Sequence, residues 1–197
     1  MLMGTTFVKV YNRFLGKITD DMYMELTPED TIKDLRNLLI DAIPGFEFPR
    51  KVLMDNYIIE TLVVEENEVQ QGDFVIGVIW GQLPEDGSDP IPEVYIEKSH
   101  FLVDLTEEEE NILAILMMNA WLQRQVTSIE NIRMKYSGSD FKFTSQANHL
   151  AKLLNLLEET QRQSHHMQRL YKRRKIDDRG NISSNWSSLR QVSALDD

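Results

Sequence analysis

A mainly α fold is expected here: a helical bundle with a long C-terminal helix, a small antiparallel β element inserted between helices, and an extended C-terminal arm. Three observations predict it. Apolar residues recur at helical spacing within 6–18, 27–45 and 104–174. Between about 57 and 103 the pattern changes to short runs rich in β-branched and aromatic residues. Residues 176–197 are polar, rich in Gly, Ser and Asn, and only weakly periodic, a composition that gives little apolar surface to bury. The organisation that follows is a helical domain over 1–175 carrying the β insertion, then a docking arm over 176–197.

In the first helix, Val8, Tyr11, Phe14, Leu15 and Ile18 form the expected stripe, with Thr5 and Thr6 as candidate caps. The second start is sharper. Thr27-Pro28-Glu29-Asp30 places a cap hydroxyl before a first-turn proline and two acids, which suit the missing N–H and the positive end of the helix dipole. Ile32, Leu35, Leu38, Leu39 and Ile43 then make one apolar face that Pro44-Gly45 ends.

YIIETLVV, DFVIGVIW and EVYIEKSHFLV read as three strands, separated by the turn residues Gln71-Gly72-Asp73 and by the Pro/Gly/Asp-rich 84–92. So small a sheet does not fold alone and is expected to pack on the helices or on neighbouring subunits.

Thr106-Glu107-Glu108-Glu109 spells a capping box. The helix behind it should be the core, since Ile112, Leu113, Leu116, Met117, Ala120 and Trp121, widened by Ile115 and Leu122, leave it apolar over a broad face. A second box, Thr127 to Glu130, suggests a break and restart, and Ser137 to Asp140 a loop.

The last helix is expected from near Ser145 to Arg174. Leu150, Leu153, Leu157, Thr160, Ser164, Met167 and Tyr171 alternate three and four apart, one seam that loses hydrophobicity towards its end. A helix of this span runs about 45 Å, so its C-terminal half is expected to protrude or to meet another subunit. Leu150, Leu153, Leu157, Met167 and Tyr171 are the candidate subunit-packing residues.

Composition narrows function. Cys is absent, which removes disulfides, thiolate nucleophiles and sulfur-based zinc sites. The net charge of −11 argues against a general DNA binder, because phosphate neutralisation supplies most non-specific affinity. No run approaches the roughly 20 apolar residues of a membrane span, and the N-terminus lacks the pattern of a secretory signal, so synthesis in a cytosol and no membrane partner are expected. His165 and His166 are adjacent and point about 100° apart on a helix. His149 lies about 24 Å from them by helical rise, so no metal site is expected. With no nucleophile elbow and no glycine-rich phosphate loop, the chain is read as a non-enzyme without cofactor. The acids Glu107 to Glu110 are accounted for as a first helical turn. The basic cluster Arg169, Lys172, Arg173 and Arg174, with Trp186, Leu189 and Arg190 beyond it, is the candidate docking set, since aromatic and Arg anchors dominate interfaces.

These residues also carry a resemblance. The run from Leu105 to Ser164, with its acid-capped helix ending in Trp121-Leu122 and its Ser139-Asp140-Phe141-Lys142 and Ser145-to-Leu150 opening to a long final helix, resembles small head-tail connector proteins of tailed bacteriophages, the adaptor or neck class. TPEDTIKDLRNLLIDAIPGFEFPR looks like the first helix of the same family, and the likeness spans 27–50 and 104–165. The resemblance implies a virion structural protein in the neck, forming a homo-oligomeric ring of about twelve copies beneath the portal protein. Such a ring extends the channel towards other neck or tail proteins and lets double-stranded DNA pass without reading its sequence. In such rings the C-terminal arm docks on the portal, and an acidic wall would repel the duplex. The 57–103 region is larger than in shorter members. Two alternatives stand beside this: a tail-terminator or stopper-like neck protein, and a small nucleic-acid-binding regulator using 169–175.

Overall fold

The computed structural model describes residues 4–18, 26–80, 92–135, 144–176 and 182–184. Its helices among these residues are α1 (Phe7–Leu15), α2 (Pro28–Ala42), α3 (Glu107–Lys135) and α4 (Thr144–Arg173). The strands are β1 (Tyr57–Ile58), β2 (Thr61–Glu65), β3 (Phe74–Trp80), β4 (Pro92–Glu97), β5 (His100–Phe101), β6 (Arg174–Ile176) and β7 (Ile182–Ser184). The mainly helical body with its inserted antiparallel sheet is as expected.

Helix α3 is the hub, with α1, α2 and α4 all packed on it. That is why its sequence is apolar over a broad face: Ile112, Leu113, Ala114, Met117 and Leu122 are buried, with Leu116 partly buried beside them. The Thr106/Glu109 box forms as expected. The Thr106 backbone N–H donates to Glu109 Oε2 at 2.8 Å, and the Glu109 N–H donates to Thr106 Oγ1 at 3.3 Å. The expected break at Thr127 is absent. Thr127 Oγ1 instead donates to the Gln123 carbonyl at 2.9 Å, the i−4 bond that lets threonine sit inside a helix. A box sequence marks a helix start only when no preceding turn is there to satisfy it.

α2 starts where Thr27 predicts, with Asp30 N–H donating to Thr27 Oγ1 at 3.2 Å. Ile32, Leu35, Leu38, Leu39 and Ile43 are all buried, and a 3₁₀ turn over Ile43–Gly45 ends the run. α1 turns further than expected: Phe7, Val10, Tyr11 and Phe14 are its buried face, and Val8 is half-exposed. Thr6 occupies the cap position with no side-chain cap bond, while Thr5 Oγ1 accepts from the Leu105 N–H at 2.7 Å. Residues 5–7 pair with 99–103 through Phe101 N–H to Thr5 O and Phe7 N–H to Ser99 O, each 2.9 Å. The chain there runs so close that a Cβ at Gly4 would stand 1.9 Å from the Phe101 carbonyl oxygen.

The insertion contains a three-stranded antiparallel sheet, ordered β2-β4-β3, and a two-residue ladder of β1 with β5. Alternation along the strands gives two faces. Phe74, Tyr95 and Glu97 share the inner face, where Tyr11 meets Phe74 edge-on at 6.5 Å and Arg36 of α2 pairs with Glu97. A bulge between Val75 and Gly77 inserts Ile76, which is buried in the main core. Gly72, with φ +101°, makes the turn into β3.

The long seam of α4 forms as expected, but its destination differs. Leu150, Leu157 and Tyr171 are buried, and Leu153 and Met167 partly buried, in the chain's own core. The expected protruding C-terminal half is instead held down by polar bonds. The backbone at Arg174 then passes directly into β6, which pairs antiparallel with β7 where an extended arm was expected to begin.

Candidate docking surfaces

The polar half of the α4 seam builds the first surface. Gln168, 1% exposed, accepts from the Glu47 N–H at 2.7 Å and donates to the Gly45 carbonyl at 3.2 Å and to Ser164 Oγ at 3.3 Å. Tyr171 donates to Glu109 Oε1, packs against Phe46 at 5.5 Å and lies under the Arg50 guanidinium at 4.3 Å. Burial, and then the adjacent Glu109 carboxylate, push the Tyr171 phenol well above the ordinary tyrosine range. Arg50 also donates to the Tyr171 and Arg174 carbonyls at 3.3 and 2.6 Å. Residues 43–54 are thereby clasped to the end of α4, and their outer side forms an open groove of about 300 Å³. Its apolar wall includes Phe46, Pro49, Val52 and Met54. Val52 and Met54 are 72% and 60% exposed, held at the tip by a turn in which Asp55 adopts φ 56°, a left-handed conformation that Asp tolerates.

Cations line and flank the groove, one of them, Lys172, from the predicted docking set. Lys172 lies over the Phe48 ring at 3.9 Å, Arg50 and Lys51 line the groove, and Arg173 is exposed. Among the described residues, none of these four is paired with a carboxylate. Arg174 is committed internally to Glu108 at 2.8 Å, and Arg169 donates to the His165 carbonyl at 3.3 Å. Trp186, Leu189 and Arg190 lie outside the described residues. His149, His165 and His166 are exposed, with His165 Nδ1 3.4 Å from Glu47. Among the described residues no group of three or more His, Asp or Glu is placed to hold a metal ion.

The second surface is the outer face of the sheet. Val94 and Ile96 on the central strand are 2% and 1% exposed yet stand outside the main core cluster. Cross-strand neighbours on the same face shield them: Leu62 opposite Ile96 from one side, and Val75 and Val78 from the other. Those three remain 41%, 40% and 48% exposed. A depression of about 480 Å³ opens beside Leu62, Val64 and Ile96. At its edge Asp73 accepts from Lys98 at 2.5 Å, and this bond is the chief cause that holds the Asp73 carboxyl below the usual carboxylate range.

Charge separates the two surfaces. Residues 57–97 contain ten Asp and Glu and neither Lys nor Arg, which leaves the rest of the chain with 22 acids against 21 bases. Nearly all of the net charge of −11 therefore belongs to the β insertion. Glu65, Glu66, Glu68 and Glu93, all exposed, sit at the ends of the strands that carry the outer apolar face. The β-branched run of β2 and the acidity of 57–97 were both visible in the sequence. The groove was not, because Val52 and Met54 belong to no periodic element.

No helix among the described residues is long and apolar enough to cross a membrane. Comparison with family models, with curated proteins and with solved structures finds no match to this chain.

Proposed function

We propose that this chain is a virion structural protein, a head-tail connector adaptor that joins portal to tail as a ring of copies and extends the DNA channel. The observation that carries the reading is the sheet with two apolar faces. One face is spent on the chain's own helices, and the other presents Leu62, Val75 and Val78 to solvent. Apolar surface of that kind, rimmed by polar groups, marks an interaction site. The groove beside α4 is a second such surface, and two separate joining surfaces suit a part that sits between other parts. The resemblance over 27–50 and 104–165 supplies the neck as the setting. The Arg169-to-Arg174 cluster, with Trp186, Leu189 and Arg190, is assigned to the portal contact.

Cryo-electron microscopy of the purified chain mixed with its portal protein tests this reading. A ring seated beneath the portal is expected. Deleting residues 185–197, which spares β6 and β7, is expected to abolish attachment while leaving helical content intact by circular dichroism. Attachment that survives the deletion would contradict the arm's role. Binding to tail tubes but not to portal would favour a terminator or stopper. A strongly salt-dependent affinity for DNA would favour a nucleic-acid-binding regulator.

A further inference from the structure

We infer that copies of this chain join head to tail, the acidic outer face of the β2-β4-β3 sheet of one copy seating on the basic-rimmed groove over 43–54 of the next. The inference deepens the assembly reading by naming the two surfaces that meet.

Both surfaces have an apolar centre that a single copy leaves open. The groove offers Val52 and Met54, the two most exposed of the large apolar side chains among the described residues. The sheet offers Leu62 on one outer strand and Val75 and Val78 on the other, either side of Val94 and Ile96 of β4. Their rims carry opposite charge. The groove is lined by Arg50 and Lys51, neither paired with a carboxylate among the described residues. Beside the sheet's outer face stand Glu68, which lines its depression, and the exposed Glu66 of the same turn, while Lys98 there is neutralised by Asp73. Two groove faces brought together would set cations against cations, and two sheet faces would set carboxylates against carboxylates, so a two-fold contact of either kind is opposed by repulsion. A groove against a sheet satisfies both rims. Because the two patches are different parts of the chain, the contact is heterologous, and each added copy again presents one free groove and one free sheet. Such a contact closes into a ring when the rotation per copy permits.

The test uses sedimentation velocity on the full chain. The unmodified protein is expected to self-associate at low ionic strength and to dissociate as salt rises, because the screening length falls from about 30 Å at 0.01 M to about 8 Å at 0.15 M. A groove-blocked variant, Lys51→Glu with Met54→Asp, and a sheet-blocked variant, Glu66→Lys with Val75→Lys, should each weaken association by about tenfold or more. Mixed in equal amounts, they should form a one-to-one pair and nothing larger, since the first still has a sheet and the second still has a groove. Circular dichroism checks folding, and the surface-only single changes Lys51→Glu and Glu66→Lys repeat the experiment should either double variant unfold. A wild-type chain that stays monomeric at low salt, a mixture that gives no pair, or a blocked variant that assembles like the unmodified chain would overturn the inference. Copies that associate in this manner while ignoring the portal would sustain it and sink the connector reading. A lone copy bound to the portal would do the reverse.

Discussion

The two halves of α4 are buried by different means. Up to Leu157 the seam is leucine, and burial follows from removing apolar surface from water. Beyond Thr160 the same face carries Ser164, Gln168 and Tyr171, each nearly inaccessible and each matched to a fixed partner. Thr160 Oγ1 donates to the Leu156 carbonyl at 2.7 Å, Gln168 bridges the backbone of 45–47, and Tyr171 meets Glu109. The lesson is that a fading apolar stripe does not imply a helix leaving the body. Polar side chains bury well when each hydrogen-bonding group is satisfied, and their net contribution is smaller but their geometry stricter.

That contrast sets the order of expected effects. Leu157→Ala opens a void in the leucine half and should cost about 2–5 kcal/mol in urea unfolding; a loss near zero would show that this half is not core. In the polar half, Tyr171→Phe keeps the ring on Phe46 but leaves a buried Glu109 oxygen short of its donor, so about 1–3 kcal/mol is expected by the same measurement. Alkaline titration sharpens the point without mutation. Burial raises Tyr11, and burial with Glu109 raises Tyr171, so the neutral phenol is favoured in the folded state. Their stabilisation is complete below the ordinary tyrosine pKa of about 10 and is lost as pH climbs beyond it towards the folded values. Ultraviolet absorbance should therefore show two of the six tyrosines ionising only with unfolding; six ordinary titrations would refute the burial of both. Smallest of all, Leu154→Ser on the 43% exposed side should stay within about 0.5 kcal/mol.

Local signals were legible and distant ones were not. Thr27-Pro28 and Thr106-Glu109 fix helix starts because the bonds they make lie within three residues. The spacing of the α4 seam was read correctly, including Thr160 and Ser164, but what it packs against was not. The partners of Gln168 and Tyr171 stand more than sixty residues away, and nothing local distinguishes a subunit neighbour from the chain's own 45–50 segment. Glu109 and Glu110 were read only as acids of a first helical turn for the same reason, yet they are 2% and 5% exposed, with Arg13 donating to Glu110 at 2.8 Å across the α1–α3 contact. Of the candidate docking set, Lys172 stands over Phe48 and Arg174 is tied to Glu108, while the apolar groove comes from 43–54, a stretch without a period to read.

The short β1–β5 ladder has one more implication. Tyr57–Ile58 lies beside His100–Phe101, so the polypeptide departs from the helical body and returns to it through a single doorway, its posts about 5 Å apart. Whatever hangs beyond such a doorway can be lengthened, shortened or recut without moving the helices, provided the anchors Phe74 and Ile76 are replaced in kind. In a lineage of such chains, this excursion is where adaptation to a new neighbour would be written first.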